Sequence, residues 1–538
     1  MNTDPRTEDS SNSNTAGGGV TRRDFMRFTA IGVGGATALS LAGCGMKSNK
    51  SSGSTARATA GGTGVAPKPR SSTLKAAFER PIISLDPHGA SDVDEGTLLA
   101  SRHIFDTLVA RNGSDIVPSL ATKWDQPDPN TWVFHLRDGV KFHDGTPLTA
   151  SDVTASLERL VKSKTPQSAL WATLASAVAT DPKTVTIKTT APLGTMLSNL
   201  TLLFVAPSAK LSQQGFFNNP VGSGPFKVDS FTASDHLNLT ANSSYWSSAP
   251  KLKNLQLPYI PETSTRLTSL KTGAVDVTWS IPPDQMSSVS GASGLKVVSA
   301  PSYVYYFNWF NCGRAPFNDA RVRQALWHAI DVKTVVNKLF GDTAEVMDAP
   351  IPSTVFGYAA QQPYDYDPDK AKSLLAAAGH PDGFSTSLMW STGIAPQIRS
   401  VAEAFNTYWA KIGVKVELQE LEQATWLKKL LALDWDMDLQ NNSVNTGDAD
   451  YTLGRLYTTK ANRMGYSNPA LDKVLDEARS STDQNQRKQS YADACKIIWD
   501  DAVGIFPLQI KATYGLRDSV QGFQPAPNNQ PMFTDVTA

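Results

Sequence analysis

Residues capable of chemistry are few in this chain and lie far apart. The seven histidines are His88, His103, His135, His143, His236, His328 and His380. No two lie four apart, so the His-Glu-x-x-His helix that would carry a catalytic zinc is missing. His135 and His143 flank a turn and could approach each other, an arrangement commoner for surface or packing residues than for ligands. Gly222-Ser223-Gly224-Pro225 lacks the spacing of a nucleophile elbow, and its proline resists a strand-to-helix turn. A Gly-Lys-Ser/Thr phosphate loop is also missing. Asp434, Asp436 and Asp438 alternate along one strand, the pattern of a solvated face rather than of a catalytic acid pair. Cys312 and Cys495 are too few for a thiolate metal site and stand either as a disulfide or as two buried thiols. A protein without catalytic centre, resident metal or cofactor is expected.

The densest signal precedes Cys44. Thr21-Arg22-Arg23-Asp24-Phe25 opens it, Phe28 to Gly43 carries no charge, and Leu41-Ala42-Gly43-Cys44 closes it. A charged start, a short apolar stretch and small residues before a cut point describe an export signal. The stretch falls short of the roughly 20 residues that span a bilayer. The arginine pair resembles the twin-arginine signal that exports folded proteins, and Leu-Ala-Gly-Cys resembles the lipobox of bacterial lipoproteins. These resemblances imply a signal peptide over residues 1–43, a lipidated Cys44 and a place on the outer face of the cell membrane. Residues 44–73 are rich in Ser, Gly, Thr and Ala and cannot bury enough surface to fold. They form a flexible tether with a reach of roughly 30 Å. Fifty basic residues balance fifty acidic ones, which argues against nucleic acid or anionic lipid as the main partner.

The elements follow from periodicity. Trp132, Phe134 and Leu136 alternate with polar neighbours, Asp138-Gly139 supplies a hairpin turn, and Val140 and Phe142 resume the alternation. Thr149-Ala150-Ser151-Asp152 is a capping box for a helix buried through Val153, Leu157 and Leu160. Beyond residue 315, helices at Val322–Ile330, after Asp367-Pro368, at 397–411 and at 425–433 alternate with strands at 384–390, 414–418 and 436–439. Such alternation predicts parallel βαβ units behind a more strand-rich half.

Val117-Pro118-Ser119-Leu120-Ala121-Thr122-Lys123-Trp124 leads into Trp132-Val133-Phe134-His135-Leu136-Arg137-Asp138-Gly139-Val140-Lys141-Phe142-His143-Asp144-Gly145-Thr146-Pro147. With Ser84-Leu85-Asp86-Pro87, Gly222-Ser223-Gly224-Pro225-Phe226 and Pro316-Phe317-Asn318-Asp319-Ala320-Arg321, this resembles the family 5 solute-binding proteins of ABC importers, the oligopeptide, dipeptide and nickel group. The resemblance implies an α/β, two-lobed clam of the class II periplasmic-binding type, with an extra α+β domain inserted in the N-terminal lobe. Lobe I would comprise 74–106, 222–312 and 504–538, the extra domain 107–221, and the α/β lobe III 313–503. It also implies a monomer that hands a peptide or other small solute to an ABC permease driven by a cytoplasmic ATPase. An oligopeptide is the foremost solute; an oligosaccharide, haem, a nickel chelate or a purely sensory role are the alternatives.

Three segments match the family's cleft. Ser91, Asp92 and Val93 match an edge that pairs with peptide backbone. Tyr303, Tyr305 and Asn308 match the crossing segment, where rings stack on ligand or pack the hinge. Asp448 matches the carboxylate that binds a peptide's free ammonium group. The loop Ser391-Thr392-Gly393-Ile394-Ala395-Pro396 lacks the arginine that holds the ligand carboxylate in dipeptide-specific relatives, which argues against strict dipeptide specificity.

Overall fold

The structure, a computed structural model, describes residues 72–395 and 397–538. The signal, Cys44 and all but the last two residues of the tether lie outside the described residues. Strand β1 (Thr73–Ala77) enters the first lobe and is followed by helix Glu95–Ile104. Six strands then build the inserted domain: β2 (Val109–Asn112), β3 (Asp115–Pro118), β4 (Ala121–Asp128), β5 (Thr131–Leu136), β6 (Leu174–Asp181) and β7 (Thr184–Thr189). β2 and β3 pair alone, and β4-β5-β7-β6 form an antiparallel sheet under helix Ala150–Ser163. The apolar face read from Trp132, Phe134, Val153 and Leu157 is the core of this domain. The capping box forms as expected: the Thr149 N–H donates to Asp152 Oδ2 at 2.8 Å.

The hairpin expected at Asp138-Gly139 does not form. β5 pairs with β4 and β7, and beyond Gly139 only a bridge from Lys141 to Pro147 continues. Val140 and Phe142 are buried from a loop; alternating burial mimics a strand wherever a loop folds back over a core.

The chain returns to the first lobe through β8 (Phe226–Thr232), β9 (His236–Ala241), β10 (Asn254–Pro258) and β11 (Val277–Trp279). The motif Gly222-Ser223-Gly224 earns its composition here. A Cβ at residue 222 would run into the Ile104 carbonyl, and Gly224 donates its N–H to that oxygen at 2.9 Å. Ser223 donates to buried Asp106 at 2.8 Å, which also accepts from Tyr245 at 2.8 Å and Trp246 at 3.0 Å. Burial pushes the Asp106 carboxyl up to about 6 against these three donors. Asp86, from the Ser-Leu-Asp-Pro run, takes both terminal nitrogens of Arg159 at 2.7 and 2.6 Å.

Strand β12 (Leu295–Phe310) then leaves this lobe, and β13 (Ala344–Val346), β14 (Ser385–Ser391), β15 (Lys415–Leu421) and β16 (Met437–Ser443) build the next before β17 (Gly504–Arg517) returns. β14 pairs in parallel with both β15 and β16, through helices Ile398–Ala410 and Gln423–Leu431. The expected βαβ units are therefore present. One sheet order, β15-β14-β16-β12-β17-β11-β1-β10-β9-β8, runs through both lobes. The two long strands are the crossings. Residues 295–301 of β12 pair with 511–517 of β17 in the first lobe, and 305–309 pair with 504–509 beyond a register shift. The buried cluster of the α/β lobe begins at Tyr303 and ends at Leu508, so it reaches past the expected span of 313–503 on both sides. Cys312 and Cys495 are free thiols.

Candidate ligand-binding cleft

The crossing places Tyr303 between the lobes. Its N–H donates to the Pro527 carbonyl at 2.8 Å, and its own carbonyl accepts from Val444 N–H at 3.1 Å. Gln509 braces the same point, donating from Nε2 to Ser302 O at 2.6 Å and accepting from Ser353 N–H at 3.1 Å. The 444–448 loop follows β16. Gly447 turns it with φ +64°, and a Cβ there would lie 2.8 Å from both Arg111 Nε and the Tyr303 hydroxyl. Hydrogen bonds from Phe356 N–H to Gly447 O and from Ala449 N–H to Phe356 O fix Asp448 between them.

Asp448 is 1% exposed, and both its oxygens lie 2.9 Å from Arg487 Nη2. Oδ1 also accepts from Asp450 N–H at 3.1 Å, and Oδ2 accepts from the Ser198 hydroxyl at 2.8 Å. Ser198 lies in the short helix Met196–Leu200 of the inserted domain, so this bond spans the gap between jaws. Arg111 of β2 donates to Ser198 Oγ at 3.1 Å and extends the chain backwards. A second contact runs parallel: Gly194 N–H donates to the Arg479 carbonyl at 2.6 Å, and Arg479 pairs with Asp450 at 3.1 Å. Burial works against the Arg487 charge, but Asp448 and Tyr491 beside it outweigh this and raise its pKa. Burial also raises the Asp450 carboxyl, against Arg479.

Of the expected site residues, the structure brings Tyr303 and Asp448 to this cleft. Tyr305 and Asn308 are fully buried, paired across β16 and β17, and pack the crossing strands. Ser91, Asp92 and Val93 form a turn instead of the expected extended edge. Asp94 caps helix Glu95–Ile104 immediately afterwards, which leaves no length for a strand, and Asp92 turns inward to accept from Gln167 N–H at 3.2 Å. Arg111, Ser198 and Arg487 were not anticipated. Arg487 does carry a signal: Arg487, Tyr491, Cys495 and Ile498 share the buried face of helix Gln484–Asp500, an apolar stripe interrupted by one charge.

The supposed acidic face also differs. Asp434 is exposed beside Lys429, but Asp436 accepts from Ser387 N–H at 3.0 Å, and Asp438 is fully buried, accepting from Trp426 Nε1 at 2.7 Å and from Gln440. Burial pushes the Asp438 carboxyl up to about 7. A folded-state pKa above the unfolded one gives stability that is full below about 4 and is lost as pH rises through 7. Asp438→Asn removes this dependence. Relative to the variant, the wild type should lose about 2–3 kcal/mol between pH 5 and 8 in urea denaturation. Parallel curves for the two proteins would refute it. His135 and His143 do not meet: His135 bonds Asp125 at 2.8 Å, and His143 bonds the Gly224 carbonyl at 3.0 Å.

A sheet shared by two lobes, two strands crossing at its waist and polar groups meeting across the gap define a two-lobed capture protein. The chain belongs to family 5 of the bacterial extracellular solute-binding proteins, whose middle-region model matches residues 115–463. It is similar to the glutathione-binding protein GsiB of Pectobacterium atrosepticum, 28% identical over 481 residues, covering 84% of this chain and 91% of that protein. Haem-binding protein A of Haemophilus influenzae is 27% identical, covering 81% and 87%. Among solved structures, DppA of Helicobacter pylori in complex with the peptide STSA superposes with a TM-score of 0.71 at 26% identity, covering 87% of this chain and 98% of that one.

Proposed function

We propose that this solute-binding protein captures an oligopeptide between its lobes and delivers it to an ABC importer, while tethered to the outer face of the membrane through Cys44 after twin-arginine export. The observation that carries this is the Ser198–Asp448 bond, in which the two jaws meet on a buried carboxylate. When the jaws part, Ser198 withdraws and Oδ2 regains a lone pair, while Arg487 stays in the α/β lobe. A peptide ammonium group entering that position replaces one donor by a charged one, so the carboxylate gains a charge-assisted hydrogen bond. The similarity to peptide-, glutathione- and haem-binding relatives supports a solute of this size range.

Native mass spectrometry of the purified protein, followed by extraction of the cleft's contents, tests the ligand. Co-purifying peptides of mixed sequence are expected; a single sugar or haem would replace the peptide assignment. For the anchor, Cys44→Ser should move the protein from the membrane fraction to the soluble exported fraction. An unchanged distribution would remove Cys44 as the attachment point.

A further inference from the structure

Among the described residues, two arginines of the cleft have no carboxylate within hydrogen-bond or ion-pair distance. Arg102, on helix Glu95–Ile104, donates only from Nε, to Gln530 at 2.7 Å. Arg111 gives Nη1 to the Ser114 carbonyl at 2.9 Å and Nη2 to Ser198, leaving a buried Nε with no hydrogen-bond partner. That Nε and the Tyr303 hydroxyl both border Gly447. The segment 527–530 joins the other side, since Pro527 holds the Tyr303 N–H and Gln530 holds Arg102. Arg102, Arg111 and Tyr303 lie within electrostatic reach of one another. Burial lowers both guanidinium groups, Arg102 to about 10, so each holds its charge at a cost. Asp448 offers Arg111 only distant relief, because Arg487 already balances it. Among the described residues, four guanidinium groups (Arg102, Arg111, Arg479, Arg487) thus face two buried carboxylates (Asp448, Asp450), and the exposed Asp115 adds only a weaker attraction on Arg111.

Building on the capture of a solute in this cleft, we propose that Arg102 and Arg111, with the Tyr303 hydroxyl, receive a carboxylate of the captured solute. A carboxylate accepts from several N–H groups at once and matches the planar fork of guanidinium. It would satisfy the buried Arg111 Nε and the free terminal nitrogens of Arg102 together. The arginine missing from the 391–396 loop is then replaced from the opposite jaw, which seats the acidic end of the ligand against the first lobe and the inserted domain.

The test offers the wild-type protein a tryptic casein digest and the same digest after methyl esterification, which neutralises every carboxylate, and reads capture by native mass spectrometry. Capture from the esterified digest should be at least tenfold weaker, and Arg102→Gln and Arg111→Gln should each narrow that ratio. The wild-type comparison stands even if a variant folds poorly. Equal capture from both digests overturns the carboxylate site and leaves peptide capture intact. Capture from neither removes the peptide assignment, and citrate titration followed by tryptophan fluorescence then decides the site. Citrate binding that weakens tenfold in Arg111→Gln upholds it; no citrate binding to wild type overturns it.

Discussion

Asp448→Ala is expected to cost about 3–5 kcal/mol of folding stability, because it leaves the Arg487 guanidinium buried and unpaired. Both side chains are 1% exposed, so solvent cannot take over the role of the lost partner. The double substitution Asp448→Ala with Arg487→Met removes both charges and should recover most of the loss. Urea denaturation of the three proteins measures this directly, and an alanine variant as stable as wild type would show that the pair contributes no such coupling. The double variant also isolates ligand recognition from folding. Wild type should prefer a free-amine peptide over its N-acetylated form, and the folded double variant should not distinguish them. A retained preference would place the ammonium elsewhere.

Gly194→Ala is expected to lower ligand affinity by roughly 5–150-fold while leaving each lobe folded. A Cβ at this position would run into the Ser481 carbonyl and sit 3.0 Å from the carbonyl of Ala478, both on the opposite jaw. Backbone cannot yield as a flexible side chain does, and overpacking of this kind costs about 1–3 kcal/mol. The clash exists only when the jaws meet, so the whole cost falls on the closed state, and closure is what ligand binding drives. Calorimetry gives the affinity, and small-angle scattering gives the shape. The variant saturated with peptide should keep a larger radius of gyration than saturated wild type. Equal affinity and equal compaction would show that Gly194 and Ser481 stay apart in the bound form.

Much of the scaffold was legible where one periodicity acts locally. The Thr149–Asp152 cap, the helix after Asp367-Pro368 and the alternation of strand and helix from β14 to β16 depend on neighbours in sequence, and each is present. Failures occurred where distant chain decides. Val140 and Phe142 alternate like a strand but cover the core from a loop. Asp438 alternates like a surface residue, yet β16 lies inside a sheet with Trp426 above it. Asp448 was visible through family resemblance, whereas its partners come from residues 198 and 487, and neither spacing nor composition links the three. Arg102 and Arg111 look like ordinary surface arginines until the fold buries them with no carboxylate in hydrogen-bond reach among the described residues.

The bonds that seat the inserted domain decide how many ways the molecule can move. Asp86 with Arg159, His88 with the Phe204 carbonyl, and His143 with the Gly224 carbonyl fasten that domain to the first lobe through buried or half-buried polar groups. Breaking any of them would strand a polar group away from water, so these two units turn together. Three domains therefore make only two jaws, with a single opening coordinate through residue 303. Ligand free energy is not divided among competing motions, and a membrane partner meets just two outlines, agape or shut. Occupancy is conveyed to it as a yes or a no.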